Sequence, residues 1–335
     1  MGLTDFRPFF KVVVDGEDIT SILSPRLVRL QLNDAAGVES DRVQISLSDA
    51  SLFAKLEEPG QGAEIKVWLG YAFDLKYMGT FIADTVSVTG PPDVMQITGL
   101  ASPQGETGGG KTALTEQKTR SWDEGTTIGE IAEQIAGEHG MRSAVSASLT
   151  EIKLPHVDQL EESDINLLSR ILREHDGIAK PGDGRIVVAK RGESLTASGK
   201  AMPVIDVIPR DVSRWAYSNS LREKVGEVVA SYQDKDAAET KEIKVGGGKP
   251  CHRLRQRYPS EGAARSAAKS EFGRFNRAGR SLRLSLPGNP DLVAEGRVNI
   301  AGFRGYIDGE WLITGAAHSL DSGGYRTRIT CEPPK

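Results

Sequence analysis

The chain has 335 residues, of which 38% are hydrophobic and 26% charged, with a formal net charge of −4. Its length suggests two or three domains, its composition suits a soluble globular protein, and so mild a charge argues against a nucleic-acid coat. No apolar run is long enough to cross a bilayer, and the opening MGLTDFRPFFKVVVDGEDIT has no basic region followed by an apolar core, so neither a membrane anchor nor a Sec-type signal is expected.

The initial Met-Gly does not make a myristoylation site, because Phe6 stands where that pattern wants serine or threonine. From residue 9 to 101 the sequence reads as strands separated by turns. FFKVVVDG ends at Asp15-Gly16. RLVRLQLND places Val28, Leu30 and Leu32 on one face, with Leu27 out of step. RVQISLSD alternates through Val43, Ile45 and Leu47, and AEIKVWLGY through Ile65, Val67 and Leu69. YMGTFIADTVSVTG and VMQITGLA follow, joined by Gly90-Pro91-Pro92-Asp93. Period-2 alternation with one polar face predicts antiparallel strands with one buried side, and six of them with short turns predict a sandwich or small barrel.

Residues 102–126 are polar and glycine-rich, and the pattern then changes. Thr127-Ile128-Gly129-Glu130 is a capping box, and Ile128, Ile131, Ala132, Ile135 and Ala136 make one helical face that Gly140 should stop. A second helix is predicted from Ser163 with a stripe of Leu167, Leu168, Ile171 and Leu172, ended by Gly177, before GRIVVAKRG returns to strand. Strands resume after residue 201 with VGEVVASYQD. SEGAARSAAKSEFGRF predicts a helix grouping Ala263, Ala264, Ala267, Ala268 and Phe272, and strands run from RSLRLSLPG to YRTRITCE.

A weak duplication is the most informative feature. EIKVWLGY, GTFIADTVSV and MQITG match RVNIAGF, GEWLITGAAHSL and TRITC in order. Ile65 and Val67 align with Val298 and Ile300; Gly79, Phe81 and Ile82 with Gly309, Trp311 and Leu312; Ile97-Thr98 with Ile329-Thr330. Gly70 and Gly302 agree only if one residue is skipped. Any two meanders share some alternation; the sharper expectation is two copies of one barrel.

The stretches KTRSWDEGTTIGEIAEQIAGEHG, HVDQLEESDINLLSRILREHDG, LPGNPDLVAEGRVNIAGF and IDGEWLITGAAHSL, in that order, resemble the phage late control protein D family, baseplate hub proteins of contractile tails and of tail-derived bacteriocins. The resemblance runs from about Phe9 to Glu332 and is similar in plan to the hub part of the VgrG spike, although this chain ends at Lys335 without a β-helical needle. It implies a mainly β chain with an α+β insert, two related antiparallel β-barrels per chain, and a trimeric hub architecture. The expected division is residues 1–105 for the first barrel, 106–200 for the insert, and 201–335 for the second barrel with a helix near 260–276. The implied function is structural: joining the hexameric tail tube to the trimeric spike, with no catalysis, cofactor or metal. The implied partners are two further copies of the chain, a separate spike protein, the tail tube protein, other baseplate proteins and a tape measure protein. The implied place is a virion or tail-like particle, assembled in the bacterial cytoplasm.

One motif points elsewhere. GETGGGKT, opening at Gly105 and closing with Lys111 and Thr112, fits the phosphate-binding pattern G-x-x-x-x-G-K-[ST], so a P-loop nucleotide-binding protein is the alternative function. A working P-loop follows a buried parallel strand and opens a helix. Here the preceding strand belongs to an antiparallel meander, and ALTEQKTRSW offers only Leu114 and Trp122 as large apolar residues, so a linker into the insert is the preferred reading.

The histidines, His139, His156, His175, His252 and His318, lack metal-ligand spacing. His139 and His175 are read as helix C-terminal residues, where a cationic ring is favoured, and His318 as an ordinary strand position. No G-x-S-x-G elbow is present. The two cysteines, Cys251 and Cys331, form no C-x-x-C and read most simply as reduced thiols. Residues 249–283 hold ten Lys/Arg (249, 253, 255, 257, 265, 269, 274, 277, 280, 283) against Glu261 and Glu271, a local charge of +8. Phe272, Phe275 and Tyr258 form no stacking pattern, so a solvated or subunit-facing surface is expected there rather than a nucleic-acid groove.

Overall fold

The computed structural model describes residues 7–334 apart from 38–40, 52–54, 61, 73, 102–112, 183, 195–200, 221–223 and 235–236. No helix among the described residues is long and apolar enough to cross a membrane.

The N-terminal part holds β1 (Pro8–Val14), β2 (Glu17–Asp18), the one-turn helix α1 (Thr20–Leu23), β3 (Leu27–Ala35), β4 (Arg42–Ser48), β5 (Glu64–Tyr71), β6 (Asp74–Thr89) and β7 (Val94–Ala101). Across the sheet they lie in the order β1-β5-β6-β7-β4-β3, all neighbours antiparallel. The predicted alternation sets the inward face: Val43, Ile45 and Leu47 of β4 and Ile65, Val67 and Leu69 of β5 are buried. Val12 of β1 and Leu30 of β3, from opposite edges of this order, lie in one core with Phe81, so the sheet curls around its own interior. Val28 departs from the sequence reading and is exposed. A bulge between Leu27 and Arg29 turns the strand at that point, so the period of two cannot be carried through it.

The C-terminal part repeats this plan. β13 (Val204–Val207), β14 (Arg214–Asn219), β18 (Arg280–Pro287), β19 (Arg297–Ile300), β20 (Gly309–Asp321) and β21 (Gly324–Glu332), as numbered along the chain, lie in the order β13-β19-β20-β21-β18-β14. Written by order of appearance, both sets read first-fourth-fifth-sixth-third-second. Registers agree as well. Val67 pairs with Gly79 and Ile65 with Phe81; Ile300 pairs with Gly309 and Val298 with Trp311. Val86 faces Ile97, as Ala316 faces Ile329. A bulge falls after Ala83 in β6 and after Ile313 in β20, at equivalent positions. Gly79 and Gly309 both hold positive φ, 132° and 127°, where a side chain is strained. One difference stands out: β1 meets β5 antiparallel, whereas β13 meets β19 parallel. Among the described residues no ladder joins β1 to β3 or β13 to β14, so each set is a curled six-stranded sheet without a closing ladder.

Between the two lies the mixed segment. It contains β8 (Gln117–Trp122), α2 (Ile128–Glu138), β9 (Arg142–Val145), α3 (Ala147–Thr150), β10 (Val157–Ser163), α4 (Asp164–Arg173), β11 (Gly177–Gly182) and β12 (Arg185–Lys190). The capping box forms: Thr127 Oγ1 accepts from the Glu130 amide at 3.2 Å, and the Thr127 amide donates to Glu130 at 2.8 Å. Both predicted stripes face one core, with Ile131, Ile135, Leu167, Leu168 and Leu172 buried. α4 ends at Arg173, before the expected stop, and Gly177 opens β11 instead. The intervening Asp176 takes a positive φ, so the reversal happens one residue ahead of the glycine.

Residues 201–335 do not form one sheet. β15 (Glu227–Asp234), β16 (Glu239–Gly246) and β17 (Cys251–Tyr258) make a separate three-stranded sheet on which α5 (Glu261–Ala278) packs. The small side chains of Ala264, Ala267 and Ala268 let that helix sit close to Val228 and Ala230. Sequence alternation identified β15 as a strand but carried no information on which sheet would take it.

Candidate assembly interface

The two repeated sheets are not independent. β3, the edge strand of the first, pairs antiparallel with the C-terminal half of β20, from Ala35 opposite Gly315 to Arg29 opposite Asp321. β20 can do this because its N-terminal half, Gly309 to Leu312, is taken by β19, and beyond the bulge that side of the strand is open. The seam is sealed by Leu30, Leu32 and His318, all buried. It joins the two repeats into one continuous sheet.

His318 sits in the middle of the seam. One ring nitrogen, Nδ1, lies 2.9 Å from the Tyr325 hydroxyl and 3.2 Å from Thr327 Oγ1, and Nε2 lies 3.1 Å from the Leu292 carbonyl. These contacts fix the ring between β20, β21 and the Leu292 backbone. Burial pushes the imidazole down to about 4. The folded protein then holds a neutral ring while the unfolded chain takes up a proton below its ordinary value near 6.5. The His318 contribution is nil above pH 6.5, becomes increasingly unfavourable as the pH drops from 6.5 to 4, and levels off below. Across that window His318 is expected to cost about 3 kcal/mol. Urea unfolding at several pH values, compared between the wild type and His318→Gln, reads this directly: the difference should open over that range, and parallel profiles would refute it.

The mixed segment is clasped to the seam. Lys180 Nζ on β11 reaches Asp34 Oδ1 at 2.5 Å, Asp41 Oδ2 at 3.2 Å and the Ala35 carbonyl at 3.2 Å. Asp34 Oδ2 also accepts from the Ala294 amide at 2.7 Å, so one carboxylate ties three parts of the chain. Burial and the Asp34 charge push the Asp41 carboxyl up, since two carboxylates share one ammonium. On the far side, Arg277 of α5 is buried and bridges Asp176 at 2.6 Å and Glu332 at 3.4 Å, joining helix, mixed segment and β21.

A second buried network lies inside the mixed segment. Asp164, the first residue of α4, receives Lys118 at 2.7 Å, Arg120 at 2.7 Å and Gln159 at 2.8 Å, with His139 Nε2 also at 2.7 Å. Glu138 joins through the same Lys118 and Arg120. Glu138, His139 and Asp164 could in principle hold a metal ion. Their oxygens already face two permanent cations, so the charge is balanced and a structural network fits better. Sequence reading placed His139 at a helix end without its carboxylate, and missed Asp164. A lone Asp after a capping serine carries no sign of the strands that will meet it.

The basic segment spreads over β17, α5 and the start of β18. Four of its cations form ion pairs, Arg253 with Glu242, Arg265 with Glu261, Arg274 with Glu271, and Arg277 as above. Tyr258 is buried, and Phe272 and Phe275 pack against the same core, so these rings make no stacking platform. GETGGGKT, with Gly105, Lys111 and Thr112, lies outside the described residues. The strand before it, β7, is antiparallel to both neighbours, which is the wrong setting for a P-loop. Cys251 is exposed and Cys331 buried, both free.

A family model described as "Phage tail baseplate hub (GPD)" matches residues 111–324, more than half of the chain. Two relatives named "Probable baseplate hub protein" are 26% identical in Escherichia phage 186, with 98% of this chain and 94% of the relative covered, and 27% identical in Escherichia phage P2, with 97% and 93% covered. Among solved structures, the 43 kDa tail protein of prophage MuSo2 from Shewanella oneidensis superposes with a TM-score of 0.71 at 15% identity, covering 98% of both chains. The c3393 protein of E. coli, a component of a type VI secretion system, gives 0.56 at 13% identity over 92% of this chain and 73% of its own.

Proposed function

This chain belongs to the phage tail baseplate hub (GPD) family and is a structural hub of a phage-tail baseplate, and from that premise we propose that three copies form a ring adapting a six-fold tail tube to a three-fold spike. The observation that carries this reading is the duplication. Each chain supplies two sheets of the same strand order and register, so three chains present six like units around one axis. A six-fold partner can dock on the repeats, and a three-fold partner on the features that occur once per chain, the mixed segment and the α5 unit. Residues 1–105, 106–200 and 201–335 act as first repeat, insert and second repeat, with β15 to β17 and α5 as an elaboration within the last. The hub transmits force through its interfaces and performs no chemistry. It assembles in the bacterial cytoplasm before taking its place in the particle, next to a separate spike protein, the tube, other baseplate proteins and the tape measure.

Light scattering on the purified chain, alone and co-expressed with its spike, tests the proposal. Three copies per particle is the expected result in at least the second case. A monomer in both, or a stable assembly without three-fold stoichiometry, ends it.

A further inference from the structure

Resting on the three-copy reading, we infer that β14 of one copy adds to the outer edge of β6 in the next, forming between chains the seam that β3 and β20 form within one. The strand equivalences fix the geometry. β6 corresponds to β20 through Gly79 with Gly309 and the shared bulge, so Val86 stands where Ala316 does and Val88 where His318 does. β3 corresponds to β14 because Leu30 pairs with Ile45 and Trp215 with Leu284, while Ile45 and Leu284 pair with the equivalent Ile97 and Ile329. Leu32 therefore corresponds to Tyr217.

Within the chain β20 uses its open half to take β3. The same half of β6 is open: β5 pairs only with Asp74 to Ile82, and residues 85–89 ladder with β7 alone among the described residues. Among the described residues β14 is likewise paired on one side only, with β18. Among the described residues each chain thus carries an unused strand and an unused edge that match the pair it has already used internally.

The side chains agree. At the internal seam Leu30 and His318 are 0% exposed and Leu32 is 1%. Their counterparts are apolar but uncovered, Trp215 at 40% and Val88 at 57%, with Tyr217 half-buried beside the exposed Tyr306. Exposed apolar edges of this kind invite strand addition, and natural proteins leave them where a partner is intended. The contact joins two different edges, so it propagates head to tail and closes as a ring when the rotation permits. Transferring the internal register, His318 opposite Leu32 becomes Val88 opposite Tyr217 of the next copy, and Ala317 opposite Asn33 becomes Ser87 opposite Ser218.

Directly opposed residues of an antiparallel pair lie within disulfide reach. In a Cys251→Ser background, Val88→Cys chains mixed with Tyr217→Cys chains and mildly oxidised should give a reducible cross-linked dimer that neither variant gives alone. The double variant should give a covalently closed trimer. Ser87→Cys with Tyr217→Cys, on opposite faces, is the off-register control. In the wild-type trimer, amides of 85–89 and 214–219 should exchange about tenfold or more slowly than those of an unpaired edge. A chain that scatters as a trimer, yet cross-links at 88 and 217 no better than the control and leaves both strands unprotected, refutes this seam while leaving the three-copy hub intact. A chain that stays monomeric with and without its spike and forms no cross-link removes both. Cross-linked products that run on without closing keep the seam and overturn the ring.

Discussion

Asp164→Ala is expected to destabilise the mixed segment by about 3 kcal/mol. The carboxylate is fully buried and receives Lys118, Arg120 and Gln159, with His139 also in contact. Burial alone would raise its carboxyl, yet the bonds from Lys118, Gln159 and His139 and the Arg120 charge outweigh that and hold it below its usual value. Removing it leaves two cations facing each other with only Glu138 between them. The cost stays near the lower end for a buried ion pair because Lys118 and Arg120 retain some exposure and can turn toward water. Trp122 reports on the same core, since its ring stacks on Arg120 at 4.5 Å. Urea unfolding followed by its fluorescence should show the loss, and Asp164→Asn should fall between the two. A loss under about 1 kcal/mol would mean that the network does not hold the segment together. The sign with pH follows: a carboxylate lowered in the folded state stabilises above its unfolded value and loses that contribution as the pH falls through the folded one.

Phe81→Ala and Trp311→Ala are each expected to cost about 3–5 kcal/mol. These are equivalent positions of the two repeats, buried in separate cores. Phe81 fills the space left by glycine at two neighbouring positions: an added methyl at Gly79 would lie 3.4 Å from its ring, and one at Gly99 would lie 3.1 Å from its Cβ. Trp311 also donates its indole N–H to the Ile307 carbonyl at 2.7 Å, so Trp311→Phe should lose about 1 kcal/mol for that bond alone. Chemical denaturation of the single variants and of the pair measures this. The cores share no residue, so the two losses should add to within about 0.5 kcal/mol. A large loss in one repeat with almost none in the other would mean that the second core is not built on the same plan.

The repeat was legible because strand period and register leave a mark on local sequence. Gly79 and Gly309 recur with Phe81 and Trp311 at the same step, Ile97 and Ile329 follow in the same order, and the structure places each pair at equivalent ladder positions. The helix of the capping box and its apolar stripe were legible for the same reason, since every residue involved lies within one turn or two of its partner. Val28 was misplaced because a bulge is a relation between two strands and leaves no trace in one.

By itself, then, the sequence determined the most regular strands and helices, most of their inward faces, the duplication and the family resemblance, all of which depend on side-chain order along the chain. Only the tertiary structure decided which edge meets which: that β3 crosses to β20, that β15 to β17 leave the main sheet, that Lys180 clasps Asp34, and that Asp164 gathers Lys118 and Arg120. Backbone hydrogen bonds are identical for every residue type except proline, so the choice of a strand's partner is made by distant shape and charge rather than by the strand's own residues.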